Sequence, residues 1–155
     1  LGINGCMEIL SEEDKTDYDV VCCACGTGAT LAGIVLSLGE GQRALGFSAH
    51  KNGGWLRDEV MKHLGYFLMD DDTAHEYADK FEIITDYHFG GYAKWDDELL
   101  QFIEQIENEQ ALPLEQVYTG KMIYGLADML GNGKLQHGTR VLALHTGGMQ
   151  GRLKL

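Results

Sequence analysis

The chain switches between two kinds of apolar pattern. Short, nearly unbroken runs occur at residues 18–25 ("YDVVCCAC"), 43–49 ("RALGFSA"), 81–85 ("FEIIT") and 139–145 ("TRVLALH"). Each is the length of a strand and suits one buried in a sheet. Between them, apolar residues recur every three or four positions, the spacing of a helix face. Leu31, Ile34, Val35 and Leu38 predict one helix, with Gly39 as its stop. "WLRDEVMKHLG" (55–65) predicts a second, with Gly65 as its C-terminal stop. Residues 96–109 are amphipathic through Leu99, Ile103 and Ile106, and residues 119–130 carry Met122, Leu126 and Met129 on one side.

Strands that alternate with helices imply parallel pairing with helices on the sheet faces, so the expected fold is α/β, an open, mostly parallel sheet flanked by helices. One proline (Pro113) and no repeat, linker or low-complexity tract make residues 1–155 a single expected domain. In such a sheet the loops leaving the carboxyl ends of the strands share one edge, where open α/β folds bind ligands. Here those loops are "GTGAT", "SAHKNGG", "DYHFGGYAK" and "HTGGMQG", and they hold most of the glycine pairs.

Composition narrows the chemistry. Apolar residues make up 45%, enough for a packed core at this length. Net charge is −12, from 24 acids against 12 bases, so no basic surplus exists to grip a nucleic-acid backbone. The acids are scattered and read as solvated surface. No apolar stretch approaches the roughly 20 residues of a bilayer span, and no basic-then-apolar leader opens the chain. Cys6, Cys22, Cys23 and Cys25 are confined to the first 25 residues rather than spread as a disulfide framework. A cytoplasmic protein with neither nucleic-acid nor membrane partners is expected. Cys22 and Cys25 form a C-x-x-C, but strand residues three apart face opposite ways and cannot share a zinc ion. With no ligand spacing among the histidines either, no metal is expected.

Gly26, Thr27, Gly28, Ala29 and Thr30 sit between a strand and a helix start. Glycines admit close approach to the backbone, and the free amides of a helix N-terminus favour an anion, foremost a phosphate. The alternative is a tight turn with Thr30 capping the helix. A P-loop needs a lysine after the glycines, and none follows. A dinucleotide fold wants a third glycine where Leu31 stands and an acid where "LGFSAH" has none. A compact phosphate monoester remains.

"GTGAT" resembles the phosphate cup of fold-type II pyridoxal-phosphate enzymes, the tryptophan synthase β-like group. More specifically, "CGTGATLAGI", "ITDYHFGGYAK", "VYTGKMIYGL" and "LALHTGG", in this order, resemble the 1-aminocyclopropane-1-carboxylate deaminase/D-cysteine desulfhydrase family. The resemblance implies part of that family's large domain, with the opening "LGINGCMEIL" in a helix before the first strand. It implies pyridoxal phosphate as cofactor, its phosphate held by Gly26, Thr27, Gly28, Ala29 and Thr30. Thr119 falls where family members place the residue that faces the pyridine nitrogen. The deaminases proper resemble "VYEGK" there, and a hydroxyl in place of glutamate favours elimination from a substrate with a good leaving group, such as D-cysteine. Tyr92 and Tyr118 match the two tyrosines offered to substrate, and a phenol can serve as acid, base or nucleophile. His145 and the pair Gly147 and Gly148 would bound the cofactor side.

In this family the Schiff-base lysine lies upstream of the glycine loop, and Lys51, Lys94 and Lys121 do not match its position. The chain thus resembles the C-terminal portion of a longer enzyme acting on a small amino acid. By itself it is expected to be inactive and to associate, as a homo-oligomer such as a dimer. A non-catalytic module that binds a phosphate metabolite is the alternative.

Overall fold

The computed structural model describes residues 2–152; Leu1 and residues 153–155 of the expected domain lie outside the described residues. Its sheet comprises β1 (Val20–Cys25), β2 (Arg43–Ser48), β3 (Phe81–Ile84) and β4 (Val141–Ala143). Their order is β3-β2-β1-β4, and every pairing is parallel. The helices are α1 (Gly2–Met7), α2 (Asp14–Asp17), α3 (Ala29–Ser37), α4 (Leu56–Leu68), α5 (Asp71–His75), α6 (Asp97–Gln110) and α7 (Thr119–Gly131). The expected parallel α/β architecture is the one observed.

Strand alternation sorts the core into two layers. Val21, Cys23 and Cys25 pack with Leu31, Ile34 and Val35 of α3 and with Leu56, Val60 and Leu64 of α4. Val20 and Cys22 pack on the other face with Leu45, Phe47, Met122, Leu126 and Met129. Being covered on both faces explains why β1 is apolar at every position rather than at every second one. It also separates Cys22 from Cys25, as the two-residue period requires. Burial pushes the Cys22 thiol up to about 12. Cys23 is raised as well, first by its hydrogen bond with Cys25 and then by burial. Both stay protonated and unreactive at neutral pH. A smaller cluster of Leu99, Ile103 and Leu114 seats α6.

Two helix stops differ from expectation. Gly65 lies inside α4, which runs on until Met69 adopts a left-handed conformation (φ 55°) and donates its N–H to the Gly65 carbonyl. Gly65 instead lies under the Asp71 side chain, whose carboxylate oxygen a Cβ would meet. Helix α3 ends at Ser37, and Gly39 accommodates the Lys15 carbonyl, which would lie 2.5 Å from a Cβ. Strand β4 is shorter than its apolar run and, among the described residues, pairs with β1 alone.

β1 has β2 on one side and β4 on the other, so the strand order reverses at its carboxyl end. That reversal opens a crevice where ligands of open α/β sheets sit. Among the described residues, no helix is long and apolar enough to cross a membrane.

Helix α1 crosses α3 where Gly33 leaves room: a Cβ there would meet Cys6 Cβ at 2.5 Å and the Ile3 carbonyl at 2.8 Å. Gly33→Ala is therefore expected to destabilise the fold by roughly 1–3 kcal/mol through overpacking. This outweighs the gain of about 1 kcal/mol in helix propensity. Urea unfolding checks the sign, and a stabilised variant would mean that α1 gives way freely.

Candidate functional site

Between β1 and α3 the chain turns through Gly26, Thr27 and Gly28. Gly28 has φ 82° and presses on α4, so a Cβ would stand 2.9 Å from Val60 Cγ2. Both backbone angle and space demand glycine there. At Gly26 a Cβ would come within 3.2 Å of the Tyr118 hydroxyl. The loop forms one wall of a cavity of about 260 Å³, also lined by Cys25, Thr30, Leu31, Tyr118 and Thr146. It lies at the carboxyl end of β1, in the crevice created by the reversal of strand order.

The electrostatics of the loop are unusual within this molecule. Each of the other long helices has negative charge of its own at its N-terminus. Asp58 and Glu59 occupy the first turn of α4. Asp96 Oδ1 accepts the Leu99 N–H at the start of α6 (3.0 Å). Glu115 accepts the N–H groups of Val117 (2.6 Å), Tyr118 (2.8 Å) and Thr119 (2.5 Å) at the start of α7. α3 has no acid in its first turn and no side-chain cap. Among the described residues, the N–H groups of Thr27, Gly28 and Ala29 donate to no protein group. Free amides and an uncompensated helix dipole are the features that favour an anion at a helix N-terminus.

Tyr118 closes the cavity from the N-cap of α7, and its phenol is pushed up to about 12, first by burial and then by the neighbouring Tyr92 hydroxyl. The two rings meet edge to face at 5.9 Å. Tyr92 is exposed and stacks its other side on His50 (5.5 Å, 16° between planes). The structure thus brings Gly26, Thr27, Gly28, Thr30, Tyr118 and Tyr92 to one place.

Thr119 is buried and does not line the cavity. Its hydroxyl donates to Glu115 Oε1 (3.2 Å) and accepts the Glu115 N–H (3.2 Å). His145 is likewise engaged elsewhere, donating from Nε2 to the Pro113 carbonyl (2.8 Å) and accepting the Gly147 N–H on Nδ1. The loop after β4 contributes Thr146 instead, a residue the sequence reading passed over. Its signal was a hydroxyl set between His145 and two glycines of positive φ, Gly147 (94°) and Gly148 (85°).

Lys51 and Lys94 are exposed. Lys121 is buried and ties α7 to the Tyr92 loop, donating to the carbonyls of His88 (2.9 Å) and Gly91 (2.8 Å). Burial lowers its ammonium to about 8, against the opposing pull of the Glu115 carboxylate.

Fold and site together define a parallel α/β domain with a loop of unpaired amides at the carboxyl edge of its sheet. No protein-family model matches the chain. The 1-aminocyclopropane-1-carboxylate deaminase of Pseudomonas syringae pv. tomato is 30% identical over 139 residues, 87% of this chain and 40% of its own length. The bifunctional D-cysteine desulfhydrase/1-aminocyclopropane-1-carboxylate deaminase of Arabidopsis thaliana, a mitochondrial protein, is 31% identical over 89% of this chain and 34% of its own length. A relative from Pyrococcus horikoshii is 33% identical over 92% of this chain and 43% of its own length. The crystal structure of an ACC deaminase homologue superposes with a TM-score of 0.73, at 28% identity, over 96% of this chain and 46% of that one. The chain is therefore related by descent to the 1-aminocyclopropane-1-carboxylate deaminase/D-cysteine desulfhydrase family, and it spans less than half the length of these relatives.

Two stability predictions follow from the underside of the site. Glu115→Ala strands three N–H groups at the start of α7, and stability against unfolding is expected to fall by at least about 2 kcal/mol, read from urea midpoints. Lys121 releases its proton more readily folded than unfolded, so the native chain binds fewer protons between pH 8 and 10.5. Relative to Lys121→Met, its contribution should be complete above pH 10.5 and be lost as pH falls through 8, by up to about 1.4 kcal/mol per pH unit. Parallel stability profiles for the two proteins across that window would contradict this.

Proposed function

We propose that this chain forms the phosphate-holding part of a pyridoxal-phosphate-dependent enzyme that removes a leaving group or ammonia from a small amino acid. The carrying observation is the row of unpaired amides at Thr27, Gly28 and Ala29, beside a cavity lined by threonine hydroxyls. A phosphate dianion satisfies several N–H donors at once and complements the helix dipole. Gly26, Thr27, Gly28, Ala29 and Thr30 would hold it, and the kinship with deaminases and desulfhydrases supports pyridoxal phosphate as its bearer. When bound, that cofactor supplies an electron sink for a bond at the substrate's α-carbon.

The chain's own residues supply positioning and protons. Tyr118, pushed up to about 12, keeps its phenolic proton at neutral pH and acts at the cavity mouth as a donor. Tyr92, exposed at its edge, faces the substrate side. Thr119 donates its hydroxyl hydrogen to Glu115 and accepts the Glu115 N–H, so its hydroxyl is engaged at the start of α7 and not in the cavity. Threonine where the deaminases resemble glutamate supplies no carboxylate to keep a pyridine nitrogen protonated, and this favours elimination of a good leaving group, as from D-cysteine, over opening of the cyclopropane ring. Lys121 is held by two carbonyls, and no lysine lines the cavity among the described residues. The 155-residue chain alone is accordingly inactive, and the complete reaction belongs to a longer polypeptide or an assembly. The same disposition of Lys121 favours, as a second reading, a phosphate-metabolite binding module without catalysis.

Thermal unfolding with inorganic phosphate, pyridoxal phosphate and unphosphorylated pyridoxal tests the site. Both phosphates should stabilise the chain, by about 1.4 kcal/mol at ten times Kd, and pyridoxal should not. Gly28→Ala should remove the effect. Absence of stabilisation by either phosphate refutes the anion site, and release of sulfide from D-cysteine by this chain alone refutes its inactivity.

A further inference from the structure

We propose that His50 and His63 are positioning residues that hold the glycine loop with its amides turned toward the cavity. The functional meaning of this brace rests on the phosphate reading of the loop given above; its geometry does not. His50 Nε2 lies 3.1 Å from the Gly26 carbonyl oxygen, and His63 Nε2 lies 3.3 Å from that of Thr27. A carbonyl oxygen can only accept, so in both rings Nε2 carries the hydrogen. The two histidines come from different elements, His50 from the loop after β2 and His63 from α4, yet they grip consecutive peptide groups.

A trans peptide unit is planar, with its carbonyl and the following N–H on opposite sides. No cis bond occurs among the described residues. Holding the Gly26 carbonyl therefore sets the direction of the Thr27 N–H, and holding the Thr27 carbonyl sets that of Gly28. These are two of the amides that have no protein partner. The sidedness is consistent. β2 lies on one side of β1, whereas Thr146 follows β4 on the other, and Tyr118 belongs to the α7 layer. Carbonyls drawn toward β2 and α4 leave the N–H groups facing the cavity.

The loop needs such a brace because of its own composition. Glycine on either side of Thr27 makes rotation of the intervening peptides easy. A rotated peptide would present a carbonyl oxygen to an anion and repel it. His50 is itself firmly placed: Ser48 Oγ accepts its N–H (3.1 Å) and donates to its carbonyl (3.3 Å). Its ring lies between Tyr92 (5.5 Å) and Trp55 (5.4 Å). His63 is carried by α4, the helix whose Val60 presses on Gly28.

The test reads the amide directions directly, in the 155-residue chain without ligand. Residual dipolar couplings of the Thr27 and Gly28 N–H vectors are compared between wild type, His50→Phe/His63→Leu, and His50→Gln/His63→Gln, whose side-chain amides still donate. In the Phe/Leu variant the two couplings should change or average toward zero while those of β1 and α3 persist, and the Gln variant should retain them. Titration with inorganic phosphate should be at least tenfold weaker in the Phe/Leu variant. Unchanged couplings at Thr27 and Gly28 overturn the proposal, even if the unfolding midpoint falls, since a merely structural role lowers the midpoint without turning these peptides. Should the double variant fail to fold, His63→Leu alone must move the Gly28 coupling, and its constancy likewise overturns the proposal. If the couplings move as expected but wild type binds no phosphate, the brace stands and the anion reading falls.

Discussion

A helix that begins at the end of a buried strand must find partners for its first amides. This constraint organises the crevice at the end of β1. Elsewhere the molecule meets it from its own stock of carboxylates, with Asp96 at α6 and Glu115 at α7. At α3 it does not, and Thr27, Gly28 and Ala29 remain without protein acceptors among the described residues. Charge complementarity that the fold withholds from one helix is available to a visiting anion.

Making the backbone bare enough to be approached has a cost in definition. Glycine removes the steric restraints that would keep each peptide in one orientation. The surroundings restore them: Val60 presses on Gly28, the Tyr118 hydroxyl crowds Gly26, and two imidazoles hold the carbonyls between. Below this layer a second polar group is buried without lining the cavity. Glu115 gathers the start of α7 and the Thr119 hydroxyl, and Lys121 stitches that helix to the loop bearing Tyr92. Each buried charge has several hydrogen-bond partners, which is the condition for keeping one inside a fold.

Much of the fold could be read from residues alone because its signals are local. An apolar run such as "VVCCAC" states its own two-sided burial, and Leu99, Ile103 and Ile106 state the face of α6. Gly65 misled because glycine at a helix end and glycine under a neighbouring side chain look alike until Asp71 is placed above it. At the site, the glycine loop and the two tyrosines could be read because their character is intrinsic to the local chain or carried by a family resemblance. Thr146, His50 and His63 could not, since their meaning lies in which carbonyl or cavity they meet across intervals of 24 residues and more. Glu115 had a visible position, four residues ahead of a helix, but its reach forward to three amides depends on the turn between.

The aromatic row running from Trp55 through His50 and Tyr92 to Tyr118 has one further consequence. The chain has two tryptophans, and Trp95 packs in the separate α6 cluster. Trp55 instead sits half in water against the imidazole that touches the glycine loop. Its emission is consequently a natural optical gauge of that loop, wired to it through a single ring, with no label needed to watch the peptides settle.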